Sequence, residues 1–478
     1  MITVINKAKI KTLPMLIGTS DPASAKIAVN SLSFFPYILI SKFNDQKEKI
    51  KGATVDPKDT IYIKLHNSRF LPEIELFCED SKAILFNDLY PFDQDTVISI
   101  FVKSNTNKIT EKNQKGSPIR MDFKVTEYET VKVDVGDGFI FKYLIKGILD
   151  VEELHYTRWL SIKDKSSYDA LKGIASEMNL GFASNVQESN DKMTWLSAGD
   201  SYLEFIKEIS SQSFISEDSF VWTFIDFQYN LNYINIQSEL NEFTKEEAYI
   251  SSEYLDNDPE EKPTITYLTN NKAADSTNKY ISSFNIVNQS FKVNLEKFYR
   301  LQATWYDKDV NTIFKPCLKE LETNDVKLGK NEGKLKQLVN KNSKIYDENN
   351  DDHFVGKIDT DNVHKNFALA KKLNKFNLDN LEKMKMIVIL NMVNFSIKRF
   401  ETVLVEIYNI NDIFSEKAGP PEAGGTIKKD NAALYNINTT LSGYWYVTGI
   451  NYLYKRNNGV EQEITLMRRD LSIDYGME

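Results

Sequence analysis

Cysteine is scarce. The chain has only Cys78 and Cys317 in 478 residues, far apart in sequence, which excludes a disulfide framework and points to assembly in a reducing compartment. Histidine is equally thin: His66, His155, His353 and His364 never fall at i, i+4 on one helical face or beside a cysteine, so zinc-ligand spacing is missing. The longest dense apolar run, Met386–Leu390, is far short of the ~20 residues a membrane helix needs. The opening MITVINKAKIKTLPMLIG alternates polar and apolar residues, without the apolar core of a secretory leader. No Lys/Arg block has the length or aromatic interleaving of a nucleic-acid tract, and the net charge of -9 argues against tight phosphate binding. The expectation is a soluble chain with no stable membrane insertion and no specific affinity for DNA.

What is present leans toward strands. Aromatic residues make up 12% of the chain, with 28 Phe and 24 Tyr, and such rings pack well on a pleated surface. The length calls for two to four domains. Period-two alternation runs through Thr60–Asn67, Leu71–Asp80, Asp95–Ser104 and Met121–Leu149, so residues 1–150 read as a first β-barrel or sandwich.

The period then changes. In SSYDALKGIASEMNLG, Leu171, Ile174, Ala175 and Met178 share one helical face, with Ser166 and Asp169 placed as a capping box and Gly181 beyond the end. A second helix follows with Ser201 and Glu204 as its box and Tyr202, Phe205, Ile206 and Ile209 on the buried face. Ser219–Gln237 alternates again as two strands about the turn QYN, giving a small α+β unit over 151–240.

Residues 241–478 read as a second β-domain, interrupted by a variable insertion at about 307–380 whose Asp307–Asp352 portion is Lys/Asn/Glu-rich and poorly patterned. A helix is expected in NVHKNFALAKKLNKF, then strands in KMKMIVILNMVNFS and ETVLVEIYN. The closing stretch SGYWYVTGINYLYKRNNGVEQEITLMRRDL is a hairpin turning at KRNNG. Strict alternation puts Tyr444, Tyr446, Thr448, Ile450 and Tyr452 on one face and Trp445, Val447 and Leu453 on the other.

No motif carries catalysis. Asp347, Asn349 and Asp351 fit the start of a calcium loop, but position six is Asp352 rather than Gly and position twelve is Ile358 rather than Glu. Val135–Phe139 holds a G-x-G between two strands, where no helix N-terminus can meet a phosphate, so it is a hairpin turn. The acids Asp256, Asp258, Glu260 and Glu261 lie in a Pro-containing linker without the apolar setting a general acid needs. Trp195 precedes a capped helix and reads as a core anchor rather than a sugar platform. No catalytic, cofactor-binding or metal-binding residue is expected.

The order of elements, with SSYDALKGIASEMNLGF, DKMTWLSAGDSYLEFIKEIS, SFVWTFIDFQYNLNYINI, ETVLVEIYN and the closing hairpin, resembles the baseplate hub proteins of contractile-tailed phages, whose fold recurs in the N-terminal half of type VI secretion spike proteins. The resemblance implies a β-rich α+β fold with two tube-like β-barrel domains and an inserted small α+β domain. It also implies a non-enzymatic homotrimer in the virion tail baseplate, assembled in the host bacterial cytoplasm. Its partners would be the tail spike protein, the tail tube protein and the baseplate wedge proteins, with tape-measure protein and DNA passing through unbound. A tail-associated cell-wall hydrolase and a receptor-binding tail protein are the alternatives.

Overall fold

The computed structural model describes residues 2–8, 36–44, 49–93, 95–102, 119–136, 138–216, 219–238, 266–270, 281–288, 301–307, 312–314, 352–358, parts of 363–408, 438, 441–456 and 459–468. The chain opens on β1 (Thr3–Asn6), β2 (Tyr37–Phe43), β3 (Lys49–Val55), β4 (Thr60–Asn67) and β5 (Glu73–Asp80). A short helix, α1 (Ile84–Asp88), precedes β6 (Thr96–Val102), β7 (Ile119–Val135) and β8 (Gly138–Leu149). The middle of the chain carries β9 (Thr157–Lys165), α2 (Ser167–Glu177), β10 (Gly181–Ser184), β11 (Met193–Ser201), α3 (Tyr202–Ser211), β12 (Val221–Ile225) and β13 (Asn230–Asn235). The last part holds β14 (Thr266–Thr269), β15 (Ile281–Asn288), β16 (Leu301–Asp307), β17 (Thr312–Phe314), β18 (Asp352–Ile358), β19 (Met384–Leu390), β20 (Thr402–Glu406), β21 (Gly443–Lys455) and β22 (Gly459–Arg468).

The β-rich α+β reading holds, and its strands join more widely than two separate tubes would require. Thirteen strands form one sheet in the order β15-β19-β22-β21-β4-β5-β8-β7-β6-β2-β3, with β20 on β21 and β14 on β20. The early and late blocks meet where Ile450 to Lys455 of β21 pair antiparallel with Asn67 to Tyr62 of β4. Among the described residues no pair closes the path between β15 and β3. β5, β8 and β19 bury alternate residues, as in β5, where Ile74, Leu76 and Cys78 point inward and Glu73, Glu75 and Glu79 outward. Ala53 and Val55 of β3 belong to the same extended apolar core as Ile63 and Leu65 of β4. A separate three-stranded sheet, β17-β16-β18, sets two strands from the stretch expected to be an insertion against β16, which ends where that stretch starts.

The middle unit keeps its two expected helices. The Ser166 hydroxyl accepts the Asp169 N–H at 3.2 Å, and Ser201 and Glu204 form a complete capping box on α3. The end of α2 differs from expectation: Asn179, at φ 58°, makes the left-handed exit, and Gly181 is already the first residue of β10. The sheet beneath has the order β1-β10-β13-β12, so Thr3–Asn6 pair with the middle unit rather than with the first strand block.

The closing hairpin turns where expected, with Lys455 opposite Gly459, but its faces do not alternate strictly. A bulge between Val447 and Gly449 shifts the phase by one residue, so Val447 and Ile450 face Leu466 and Ile464 on the same side. Trp445, Val447, Ile450, Tyr452 and Tyr454 therefore all enter the main core, while Tyr446 packs with Phe400 and Phe224 in a second cluster. Gly449 fits at the bulge because a Cβ there would come within 3.1 Å of the Ser68 Cβ.

Three parts of the chain converge on Arg399. Its Nε donates to the Thr448 carbonyl at 2.6 Å, Nη2 to the Ser68 carbonyl at 2.7 Å and Nη1 to the Arg69 carbonyl. The guanidinium lies over the rings of Phe224, at 4.6 Å, and Phe400, at 5.0 Å. Burial lowers its pKa to about 9, which leaves it charged at neutral pH.

Two predictions follow from this packing. Leu171 and Phe205 are 0% and 1% exposed, so Leu171→Asp or Phe205→Asp buries an unpaired carboxylate at a cost of several kcal/mol, and neither variant is expected in the soluble fraction of an expression trial. Arg399→Met leaves three carbonyls without their donor and is expected to lower stability by about 3 kcal/mol in a denaturant titration. Arg399→Lys should recover little, because one ammonium cannot reproduce the planar fork.

Candidate assembly surface

The residues singled out in the sequence do not gather into one site. His66 is half-buried in β4, His155 is exposed, His353 lies in β18 and His364 is buried beside the end of α3. Asp347, Asn349 and Asp351, the linker acids Asp256, Asp258, Glu260 and Glu261, and Cys317 lie outside the described residues. Val135 and Gly138 pair across a turn in which Gly136 takes φ 58°, as the hairpin reading requires. Trp195 is 1% exposed and its Nε1 donates to the Lys165 carbonyl at 2.9 Å, which makes it a core anchor. Cys78 is buried, and burial raises its thiol far above the usual range, so it is no nucleophile.

The buried carboxylates are engaged in holding backbone. Asp80 accepts the N–H groups of Ile84 and Phe86 and so starts α1. Asp191 accepts those of Ser167 and Phe214, tying the start of α2 to the segment after α3. Asp122 pairs with Arg120 at 2.8 Å, and its own N–H donates to the Tyr229 hydroxyl, joining β7 to the β12–β13 turn. Among the described residues no group of three or more His, Cys, Asp or Glu could hold a metal ion.

The four most exposed large apolar side chains among the described residues lie on two surfaces. The first is an arm. β6 pairs with β7 only as far as Lys124, so the edge of β7 from Thr126 to Val135 has no neighbouring strand among the described residues. Each face of the arm mixes apolar with charged side chains. Val131, Val133 and Val135 share one with Ile140 and Leu144, and Phe139, Phe141 and Tyr143 occupy the other. Phe86 stacks on Phe141 at 4.2 Å and on Tyr90 at 5.3 Å, extending that aromatic face. Val135 is 53% and Phe139 54% exposed.

The second surface is the two-stranded ribbon β9–β11. Its inner face carries Leu160, Ile162 and Trp195 into the core beside α2 and α3. Its outer face presents Trp159, opposite Ala198, and Leu196, opposite Ser161. Trp159 is 81% and Leu196 63% exposed. The Trp159 ring lies beside Gly199, which takes φ 95° and offers bare backbone to the indole. Alternation places one tryptophan of this ribbon inside and the other outside, but only the packing of the helices settles which face is buried.

His364 ties the segment before β19 to the end of α3 through its Nε2, which donates to the Gln212 carbonyl at 3.2 Å. Burial lowers the imidazole pKa, and the opposing influence of Asp191 does not offset it. The folded chain resists a proton that the unfolded chain accepts at the ordinary value of 6.5, so stability is full above that value and falls as the pH drops through it. Urea midpoints at pH 7 and pH 5 should separate less in His364→Gln, which keeps an amide donor, than in the parent chain.

No protein-family model matches the sequence, and no curated protein matches it. Solved structures are similar to it in fold. A tail protein from Neisseria meningitidis matches over 91% of this chain and 97% of its own at 9% identity, with a TM-score of 0.45. A prophage tail protein from Shewanella oneidensis matches over 91% of this chain and 97% of its own at 8% identity and a TM-score of 0.44. The Francisella PdpA–VgrG complex matches over 95% of this chain and 62% of its own at 11% identity and a TM-score of 0.43. The solved structures that this chain resembles are thus phage tail and VgrG-containing proteins.

Proposed function

We propose that the chain is a structural, non-enzymatic virion protein, the central hub of a phage tail baseplate. The observation that carries this reading is the sheet that fuses the early and late strand blocks through β4 and β21 and has β3 and β15 at its ends. Among the described residues the sheet has hydrogen-bonding edges without a neighbouring strand, and assembly into a ring is one way to cover such edges. Two strand blocks in each of three copies place six around an axis. Such a ring lets a threefold tail spike protein below meet a sixfold tail tube protein above, with baseplate wedge proteins around it.

Tape-measure protein and DNA would pass through the ring without specific binding. The outward face of the sheet suits that passage: it interleaves Glu79, Glu127 and Glu461 with Lys142, Lys146 and Lys455 in cross-strand pairs. These three lysines are neutralised in place, which reduces the positive charge available to hold phosphates. The hub would be built in the host bacterial cytoplasm and reside in the virion baseplate.

Native mass measurement on the purified chain tests the reading. Three copies are expected, and a monomer at micromolar concentration would sink it.

A further inference from the structure

We propose that the outer face of the β9–β11 ribbon is a saccharide platform, on which the Trp159 indole stacks a pyranose ring and Leu196 receives the methyl of an N-acetyl group. The site lies wholly on the middle unit and stands apart from the hub reading.

The indole is held as a flat, fixed surface. A Cβ added at Gly199 would lie 3.5 to 3.6 Å from Cε2, Cζ2 and Nε1 of Trp159. Three consecutive ring atoms at nearly one distance put Gly199 over a face of the ring, not at its edge. That face rests on backbone, and with the residue 81% exposed the opposite face is bare. The ribbon itself is anchored, because Leu160, Ile162 and Trp195 hold its inner side in the main core. An aromatic plate fixed before binding loses little conformational freedom when a ligand covers it.

The surroundings select the ligand. Ala198 stands opposite Trp159, and the exposed Thr157 and Ser161 lie two residues to either side of it on the same face. None of the three is charged. Arg158 turns the other way, to Glu177 and the Tyr202 hydroxyl on the helix side. Lys163 is four residues along β9, about 13 Å away on an extended strand. Asp200, next to Gly199, adds one carboxylate acceptor. This set suits a neutral ligand with an apolar face and a rim of hydroxyls, which describes a pyranose. Leu196 faces Ser161 and is therefore the diagonal neighbour of Trp159, about 7–8 Å away between Cβ atoms. An acetamido methyl, on the stacked sugar or the next, has its apolar contact there. A protein partner fits less well. A tryptophan offers at most about 250 Å², and Leu196 less, whereas a stable protein contact takes about 800 Å² from each side.

Affinity electrophoresis of the full-length chain tests this, in native gels containing glycol chitin, which carries N-acetyl groups, or hydroxyethyl cellulose, which does not. Glycol chitin should retard the parent chain more than hydroxyethyl cellulose does. Trp159→Ala should raise the dissociation constant for glycol chitin at least tenfold, and Leu196→Ala should remove the preference between the two polymers. Both side chains are exposed, so folding should persist, and an unchanged thermal melt checks that it does. A parent chain that glycol chitin does not retard overturns the proposal, as does retardation of Trp159→Ala at parent strength. Equal retardation of the parent by both polymers overturns the N-acetyl assignment. Loss of self-association in Trp159→Ala without any saccharide retention in the parent would give the ring to a second copy instead.

Discussion

A buried guanidinium has to be satisfied wherever the chain places it, and Arg399 is satisfied only if three separate segments are correctly positioned. Its carbonyl partners lie in the β4–β5 connection and in the bulge of β21, and its aromatic partners in β12 and at Phe400. Carbonyl oxygens and ring faces accept the charge without a carboxylate, so the site is directional. Displacing any one partner leaves a charged donor in the interior, which the chain can tolerate only by opening. The early block, the late block and the middle unit are thereby held to one relative arrangement.

The β21 bulge sits at the same place because the two features need each other. Without the extra residue, the Thr448 carbonyl would belong to the regular ladder and the phase of Ile450, Tyr452 and Tyr454 would turn outward. With it, one strand serves two cores, sending Tyr446 to the middle unit and its other rings to the main sheet. Phe400, at φ 63°, makes the turn that brings Arg399 back against this strand.

Much of the local structure was legible in the residues. The capping Ser201 and Glu204, the inward faces of α2 and α3, the turn at Lys455–Gly459 and the hairpin at Gly136 follow from side-chain chemistry acting over a few positions. What escaped depends on distant partners. Nothing local distinguishes Arg399 from a surface arginine, or marks Trp159 as exposed. The bulge at Val447–Gly449 looks like uninterrupted alternation until its partner strand is known, and β1 pairs with a strand nearly two hundred residues away. The β2 and β3 strands and the β9–β11 ribbon gave no turn signal strong enough to separate them from their surroundings.

The pairing of β4 with β21 also carries a consequence in time. A ribosome finishes Asn67 long before it reaches Ile450, and at about 5–20 residues per second the interval lasts tens of seconds. Until then β4 lacks one neighbour, and the carbonyls of Ser68 and Arg69 lack their donor. The early block can collapse around its own core, but it cannot complete the sheet or lock its position against the middle unit. Completion therefore waits for the last fifty residues, and a chain broken off during synthesis never acquires the finished sheet.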